Sequence, residues 1–166
     1  MAHQQFRFHL PSYSFPNFVG MKSISNTDVG KVGQEFIESL CSHLKIPFNF
    51  PTNKNNQRAN QSPWDIRINN INFELKTATE DTTGKFQFNH IRYHRDYNAV
   101  LCLGVSPNDL HFNLWSKADI VTGKAGKLVS MEKVANASYK LTKSKKELFH
   151  IDLFEVKISD FSAYFK

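Results

Sequence analysis

The chain has only two cysteines, Cys41 and Cys102, both inside apolar runs and far apart in sequence. A disulfide framework is thereby excluded, and the pair reads as buried free thiols in a reducing compartment. No apolar run approaches the roughly 20 residues needed to cross a bilayer. The first residues also lack a basic region followed by an apolar one. The expected setting is cytoplasmic, with no membrane partner. Internal repeats and low-complexity tracts are missing as well. Acidic side chains are the minority, 15 against 21 Lys and Arg, for a net charge of +6 and a pI near 9.3. That imbalance favours a polyanionic partner.

What is there describes a folded protein. With 40% hydrophobic and 22% charged residues the composition is globular. At 166 residues it suits one domain, 1–166, with one core. Residues 1–26, rich in Phe, Pro and Ser without helical period, read as an irregular surface segment. "TDVGKVGQEFIESLCSHLKI" then spaces Val29, Val32, Phe36, Leu40 and Leu44 by three and four. This predicts a helix capped by Thr27 or Asp28 and ended by Pro47. "PFNFPTNKNNQRANQSP" reads as a long polar loop. "FQFNHIRYHRDY" suggests a short helix or loop, "NAVLCLGVS" a buried strand, and "LHFNLWS" its alternating partner. Residues 121–166 read as a Lys-rich loop closed by a C-terminal strand over "LFHIDLFEVKI".

The informative stretch is "SPWDIRINNINFELKTAT". Asn69-Asn70 between Ile68 and Ile71 suits a two-residue turn, because Asn tolerates the positive backbone angles that tight hairpins require. Pairing Ile68 with Ile71 sets Arg67 opposite Asn72, Ile66 opposite Phe73 and Asp65 opposite Glu74. Trp64, Ile66, Ile68, Ile71, Phe73 and Leu75 then share the core face, and Asp65, Arg67, Asn72, Glu74 and Lys76 the other. Two carboxylates roughly 5 Å apart repel unless something positive lies between them. Hard divalent ions such as Mg²⁺ favour such oxygens, and Lys76 is placed to hold or activate a nearby water. Glu-x-Lys is short enough to occur by chance. A second copy, "DLFEVK" with Asp152, Glu155 and Lys157, reads as solvated charge on an edge strand, since Asp152 and Glu155 point to opposite faces of a straight strand.

The order of helix, Asp-bearing strand, "ELK" strand, then helix and strand resembles the PD-(D/E)xK nuclease superfamily. "SPWD" stands for its proline-aspartate element, with Trp64 inserted between Pro63 and Asp65, and "ELK" for its second motif. The following "FQFNHIRYHRDYNAVLCLGVSPNDLHFNLWS" resembles a segment of many type II restriction endonucleases, and the likeness covers roughly residues 27–120. The resemblance implies an α/β (α+β) restriction-endonuclease-like core, a central mixed sheet flanked by helices. It implies Mg²⁺, for which Mn²⁺ can substitute, held by Asp65, Glu74 and the backbone carbonyl of Leu75. Lys76 would orient the attacking water or stabilise the transition state. The helical glutamate that members often add falls on Glu35, with Glu38 as the alternative, and a polar residue after the lysine falls on Gln87.

Expected DNA contacts come from the polar loop (Lys54, Asn56, Gln57, Arg58 and Asn60), from Arg67 and Lys85, from Arg92 and Arg95, and from Lys143 and Lys145. Each of these segments also reads as ordinary solvated surface. His90 and His94 have helical zinc-pair spacing but no clear third ligand, and "TGKAGK" lacks the terminal Ser/Thr of a phosphate-binding loop. Three classes follow. The leading one is a homodimeric type II restriction endonuclease cutting double-stranded DNA, which implies a cognate DNA methyltransferase. The others are a structure-specific, repair or nicking nuclease of the same fold, and a DNA-binding module without cleavage.

Overall fold

The computed structural model describes residues 25–59, 61–132 and 138–165. The expectation for residues 1–26 lies almost wholly outside them, as does Asn60. Helix α1 (Asn26–His43) is capped by Ser25, whose hydroxyl oxygen accepts from the Asp28 N–H at 3.2 Å. The cap thus lies two residues before the expected Thr27. Its inward stripe is Val29, Gly33, Ile37 and Cys41, whereas Val32 is 41% exposed. Gly33 accounts for the rotation: a Cβ there would lie 1.9 Å from Thr77 Oγ1, so the helix sits directly on the strand beneath. Counting apolar side chains alone misses a glycine at the point of closest approach. The helix ends in a Schellman turn, with Lys45 at φ 57° and N–H bonds from Lys45 to the Ser42 carbonyl and from Ile46 to the Cys41 carbonyl.

Strands β1 (Phe48–Asn49), β2 (Ile66–Ile68) and β3 (Ile71–Thr79) form an antiparallel set in the expected register, with Ile66, Arg67 and Ile68 opposite Phe73, Asn72 and Ile71. Asn69 and Asn70 both take positive φ, 48° and 67°, as the tight turn requires. The register breaks at Asp65. Its N–H donates to the Phe73 carbonyl at 2.8 Å, although Phe73 already faces Ile66. One extra residue is inserted, and the slip sends Trp64 to the opposite face from Ile66, where it packs on the second apolar cluster. The shared face expected for Trp64 and the isoleucines is corrected accordingly.

Strand β3 runs parallel to β5 (Ala99–Val105), which is buried throughout and pairs with β6 (Leu110–Ser116). The crossover from β3 to β5 is not the expected helix or loop but a strand, β4 (Lys85–Ile91). Its buried residues Phe86, Phe88 and Ile91 are spaced two and then three apart, because the ladder slips around His90 at φ 57°. That bulge hides the alternation from a period-two reading. After α2 (Lys117–Val121), β7 (Leu128–Ser130) and β8 (Tyr139–Ser144) join β4 in a three-stranded sheet ordered β4-β8-β7. The expected Lys-rich loop is therefore interrupted by two strands.

The C-terminal strand is also shorter than expected. Only β9 (Phe149–His150) pairs with β6, and α3 (Phe154–Ala163) follows a 3₁₀ turn. Phe154 and Ile158 are buried and Phe161 packs beside them, a helical spacing of four and three. The second Glu-x-Lys lies at this helix rather than on an edge strand. Glu155 is exposed, Asp152 faces His150, and the Lys157 ammonium rests over the Phe149 ring at 4.4 Å.

The result is a mixed α+β domain built on a mixed six-stranded sheet, β1-β2-β3-β5-β6-β9. One face packs on α1 and α3 through Ile66, Phe73, Leu101, Phe112 and Phe154. The other is covered by the small sheet and α2 through Phe86, Phe88, Val100, Ile120 and Leu141. Gly104 admits this second layer, since a Cβ there would lie 3.0 Å from the Phe86 ring. Among the described residues no helix is long and apolar enough to cross a membrane. Cys41 and Cys102 are free and buried, and burial raises both thiols, Cys41 to about 12.

Candidate active site

Alternation along β3 directs Glu74 and Lys76 to the face covered by the small sheet, opposite Phe73 and Leu75. Glu74 is only 1% exposed. The Lys76 ammonium donates to Glu74 Oε1 at 2.7 Å, while Oε2 is buried without a protein partner. Burial pushes the Glu74 carboxyl above its ordinary range and the Asp65 charge adds to this; Lys76 and Arg95 oppose it.

Asp65 arrives through the bulge rather than through a simple cross-strand pair. Its Oδ2 accepts the Leu75 N–H at 2.8 Å, so the carboxylate ends the β2–β3 ladder in place of a main-chain carbonyl. In an extended strand the N–H and C=O of one residue point to the same side. The Leu75 carbonyl therefore opens on the side from which Asp65 approaches. From α1, Gln34 Nε2 donates to the Asp65 carbonyl at 3.2 Å and holds the bulge in place.

Asp65, Glu74 and the Leu75 carbonyl offer hard oxygens, and the orphaned Glu74 Oε2 is the atom that most needs a positive partner. These are oxygens of the kind that hard divalent ions take, and water would have to complete the shell. Among the described residues no group of three or more His, Cys, Asp or Glu side chains could hold a metal. An ion here would rest on two carboxylates and one carbonyl.

Other residues singled out in the sequence fall in varied places. Glu35 is exposed on α1, and its neighbour Gln34 makes the contact to Asp65, which corrects the helical-glutamate expectation. Glu38 pairs with Arg58, whose guanidinium also lies 4.1 Å over the Phe50 ring. Gln87 bonds Asp81 at 3.2 Å and lines a groove of about 350 Å³ with Leu75, Lys76, Thr77 and His90. Lys54, Asn56 and Gln57 are exposed at the tip of a loop that Asn53 closes by accepting the N–H groups of Asn55 and Gln57. Arg67 donates to Asn72 at 2.7 Å and lies over the Trp64 ring at 5.0 Å. Lys85 is exposed and Arg92 half-buried.

Lys143 is not a surface contact. It is 7% exposed, lies 5.2 Å over the Trp115 ring and reaches Glu147 at 3.3 Å, because β8 turns it between the two sheets. Lys145 pairs with Glu80 at 3.1 Å. His90 sits in the β4 bulge facing the Ser138 hydroxyl at 3.3 Å, so the helical spacing expected for His90 and His94 does not exist.

Arg95 and Tyr97 stand closer to the site than the sequence indicates. Arg95 Nη1 donates to the Ser62 carbonyl at 3.3 Å, in the segment leading to Asp65. Tyr97 is 3% exposed with its hydroxyl unpartnered, and burial together with the Glu74 charge raises its pKa. Both lie between β4 and β5, so only the crossover brings them to β3; the sequence offers Arg95 as a DNA contact and gives no signal for Tyr97. Comparison with family models, with curated proteins and with solved structures returns no match.

Proposed function

We propose that this chain is a Mg²⁺-dependent nuclease that hydrolyses phosphodiester bonds of double-stranded DNA, in the manner of a type II restriction endonuclease. The observation that carries the reading is Glu74. It is a buried carboxylate with one oxygen on Lys76 and the other orphaned, beside Asp65 and the Leu75 carbonyl. Burying such a group costs several kcal/mol unless a positive partner compensates it, and an active site is where that cost has a use.

A phosphodiester resists attack because it is anionic, and a divalent ion, which Asp65 and Glu74 would hold, would supply Lewis-acid polarisation and charge neutralisation. The chain's own residues do the rest. Asp65, fixed by the Leu75 N–H and the Gln34 amide, and Glu74, fixed by Lys76, form a rigid acceptor pair. The Lys76 ammonium, beside Glu74, would orient the attacking water. One P–O bond forms to the water oxygen as that water gives up a proton, and the P–O bond to the sugar oxygen breaks as that oxygen takes up a proton, so the step balances without any other reactant.

Unmethylated phage DNA incubated with Mg²⁺ or with EDTA tests the reading. Discrete Mg²⁺-dependent bands support a site-specific endonuclease acting as a homodimer beside a cognate methyltransferase. Nicked circles or a smear move the assignment to a structure-specific or repair nuclease. The strand that replaces the expected crossover helix makes this second outcome worth scoring. DNA left intact under every divalent ion, yet still bound, would assign a binding module instead.

A further inference from the structure

Resting on the nuclease reading above, we propose that Arg95 is a catalytic residue that binds a non-bridging oxygen of the scissile phosphate and stabilises the transition state.

The first argument is placement. Arg95 sits in the turn between β4 and β5, where its N–H donates to the Arg92 carbonyl at 3.0 Å. Its own carbonyl accepts from the Tyr97 N–H at 3.1 Å and from the Lys117 ammonium at 2.5 Å. Lys117 is itself set 5.0 Å over the Tyr97 ring. The backbone of Arg95 is therefore fixed from behind. Its guanidinium reaches forward to the Ser62 carbonyl, three residues before Asp65, and its charge is felt at Glu74. A guanidinium carries five N–H donors in a rigid fork that matches phosphate oxygens. Anchoring one of them at Ser62 aims the fork and leaves donors for a ligand.

The second argument is charge. Asp65 and Glu74 carry two negative charges, Lys76 and Arg95 two positive ones, and they cancel. A divalent ion then leaves the site at about +2. A phosphodiester is a monoanion, and attack by a hydroxide equivalent makes the transition state a dianion. With Arg95 the site matches the transition state; without it the site matches only the substrate. A group that makes this difference accelerates chemistry more than it tightens binding.

Arg95→Ala and Arg95→Lys, with Glu74→Ala as the dead control, test the assignment in three assays. Single-turnover cleavage in Mg²⁺ should fall about 100-fold or more in Arg95→Ala, while DNA affinity measured in Ca²⁺ stays within a few-fold. Guanidinium ion added at low millimolar concentration should restore part of the rate to Arg95→Ala and none to Glu74→Ala. Tb³⁺ luminescence, sensitised by Trp64 and Tyr97, should report metal binding at least as tight in Arg95→Ala as in the wild type, because a cation beside the carboxylates is gone. Near-wild-type cleavage by Arg95→Ala would overturn the assignment, as would weaker Tb³⁺ binding with no guanidinium rescue, which marks a scaffold role. A wild type that binds Tb³⁺ but cuts no DNA overturns the nuclease reading itself, and Arg95's role with it.

Discussion

Asp65 and Glu74 reach the same place by different physical routes, and this governs what each substitution does. Glu74 is delivered by strand alternation, Asp65 by an inserted residue whose carboxylate replaces a ladder bond. Either one changed to Ala should abolish Mg²⁺-dependent cleavage while DNA binding in Ca²⁺ persists, and Lys76→Ala should slow cleavage by orders of magnitude. A gel assay beside a filter-binding assay checks all three. Lys157→Ala should cut at the wild-type rate, since that lysine rests on Phe149 against the helical layer. Asp81 offers a separate residue-scale test. Its carboxylate accepts from the Thr83 hydroxyl, from the N–H groups of Lys85 and Thr83, and from Gln87, which hold its pKa well below the ordinary 3.8. A depressed carboxylate contributes stability that is fully present above its unfolded pKa and is lost as pH falls toward the folded value. Asp81→Asn should therefore lower the melting temperature at about pH 7, with the gap to wild type narrowing steadily as pH falls below the ordinary carboxylate value of 3.8. The register from Ile66 to Ile68 was legible because a two-residue turn fixes it, but the expected pairing of Asp65 with Glu74 gives way to the bulge. The bulge was not legible, since no residue type in "SPWD" requires it.

Elements were legible where one pattern runs unbroken, as in β5 and β6, and α1 was legible as a helix though not in the face it buries. They were lost where a single residue interrupts the period. His90 breaks β4, and Gly33 removes an apolar side chain from the very stripe that faces the core. The C-terminal segment "LFHIDLFEVKI" reads as a strand, whereas the buried residues Phe154 and Ile158 stand at helical spacing. Gly33 gives the element-scale prediction. Gly33→Ala places a methyl within 1.9 Å of Thr77 Oγ1, so α1 must lift from β3. The expected loss is about 1–3 kcal/mol in urea unfolding, accompanied by slower cleavage as Gln34 leaves the Asp65 carbonyl. Thr77→Ala in the same chain should recover only part of both, because the Cβ at position 77 would still lie 2.8 Å from the added methyl.

Across the whole molecule, a net charge of +6 does not say which lysines meet a polyanion. Lys54 at the loop tip and Lys143 between the sheets are equivalent in composition and opposite in environment. Lys143→Ala should cost about 1–2 kcal/mol of stability through the lost Trp115 contact and leave the salt dependence of DNA binding unchanged. Lys54→Ala should leave the melting temperature alone and lower the log–log salt slope by about 1. The three-layer stack itself escaped the sequence reading, because pairing of β4 with β8 is a long-range event that no local window contains. That topology also orders events on the ribosome. As the chain emerges, β3 can find β5 and β6 soon after each is made, but β4, lying between them in sequence, has no ladder partner until β8 follows. Phe86 and Phe88 must wait uncovered on one side while the central sheet assembles. In that order of synthesis the second layer can close only once β8 has been made, after β3 and β5 are both available to pair, and the β4–β5 turn that carries Arg95 is then held from both ends.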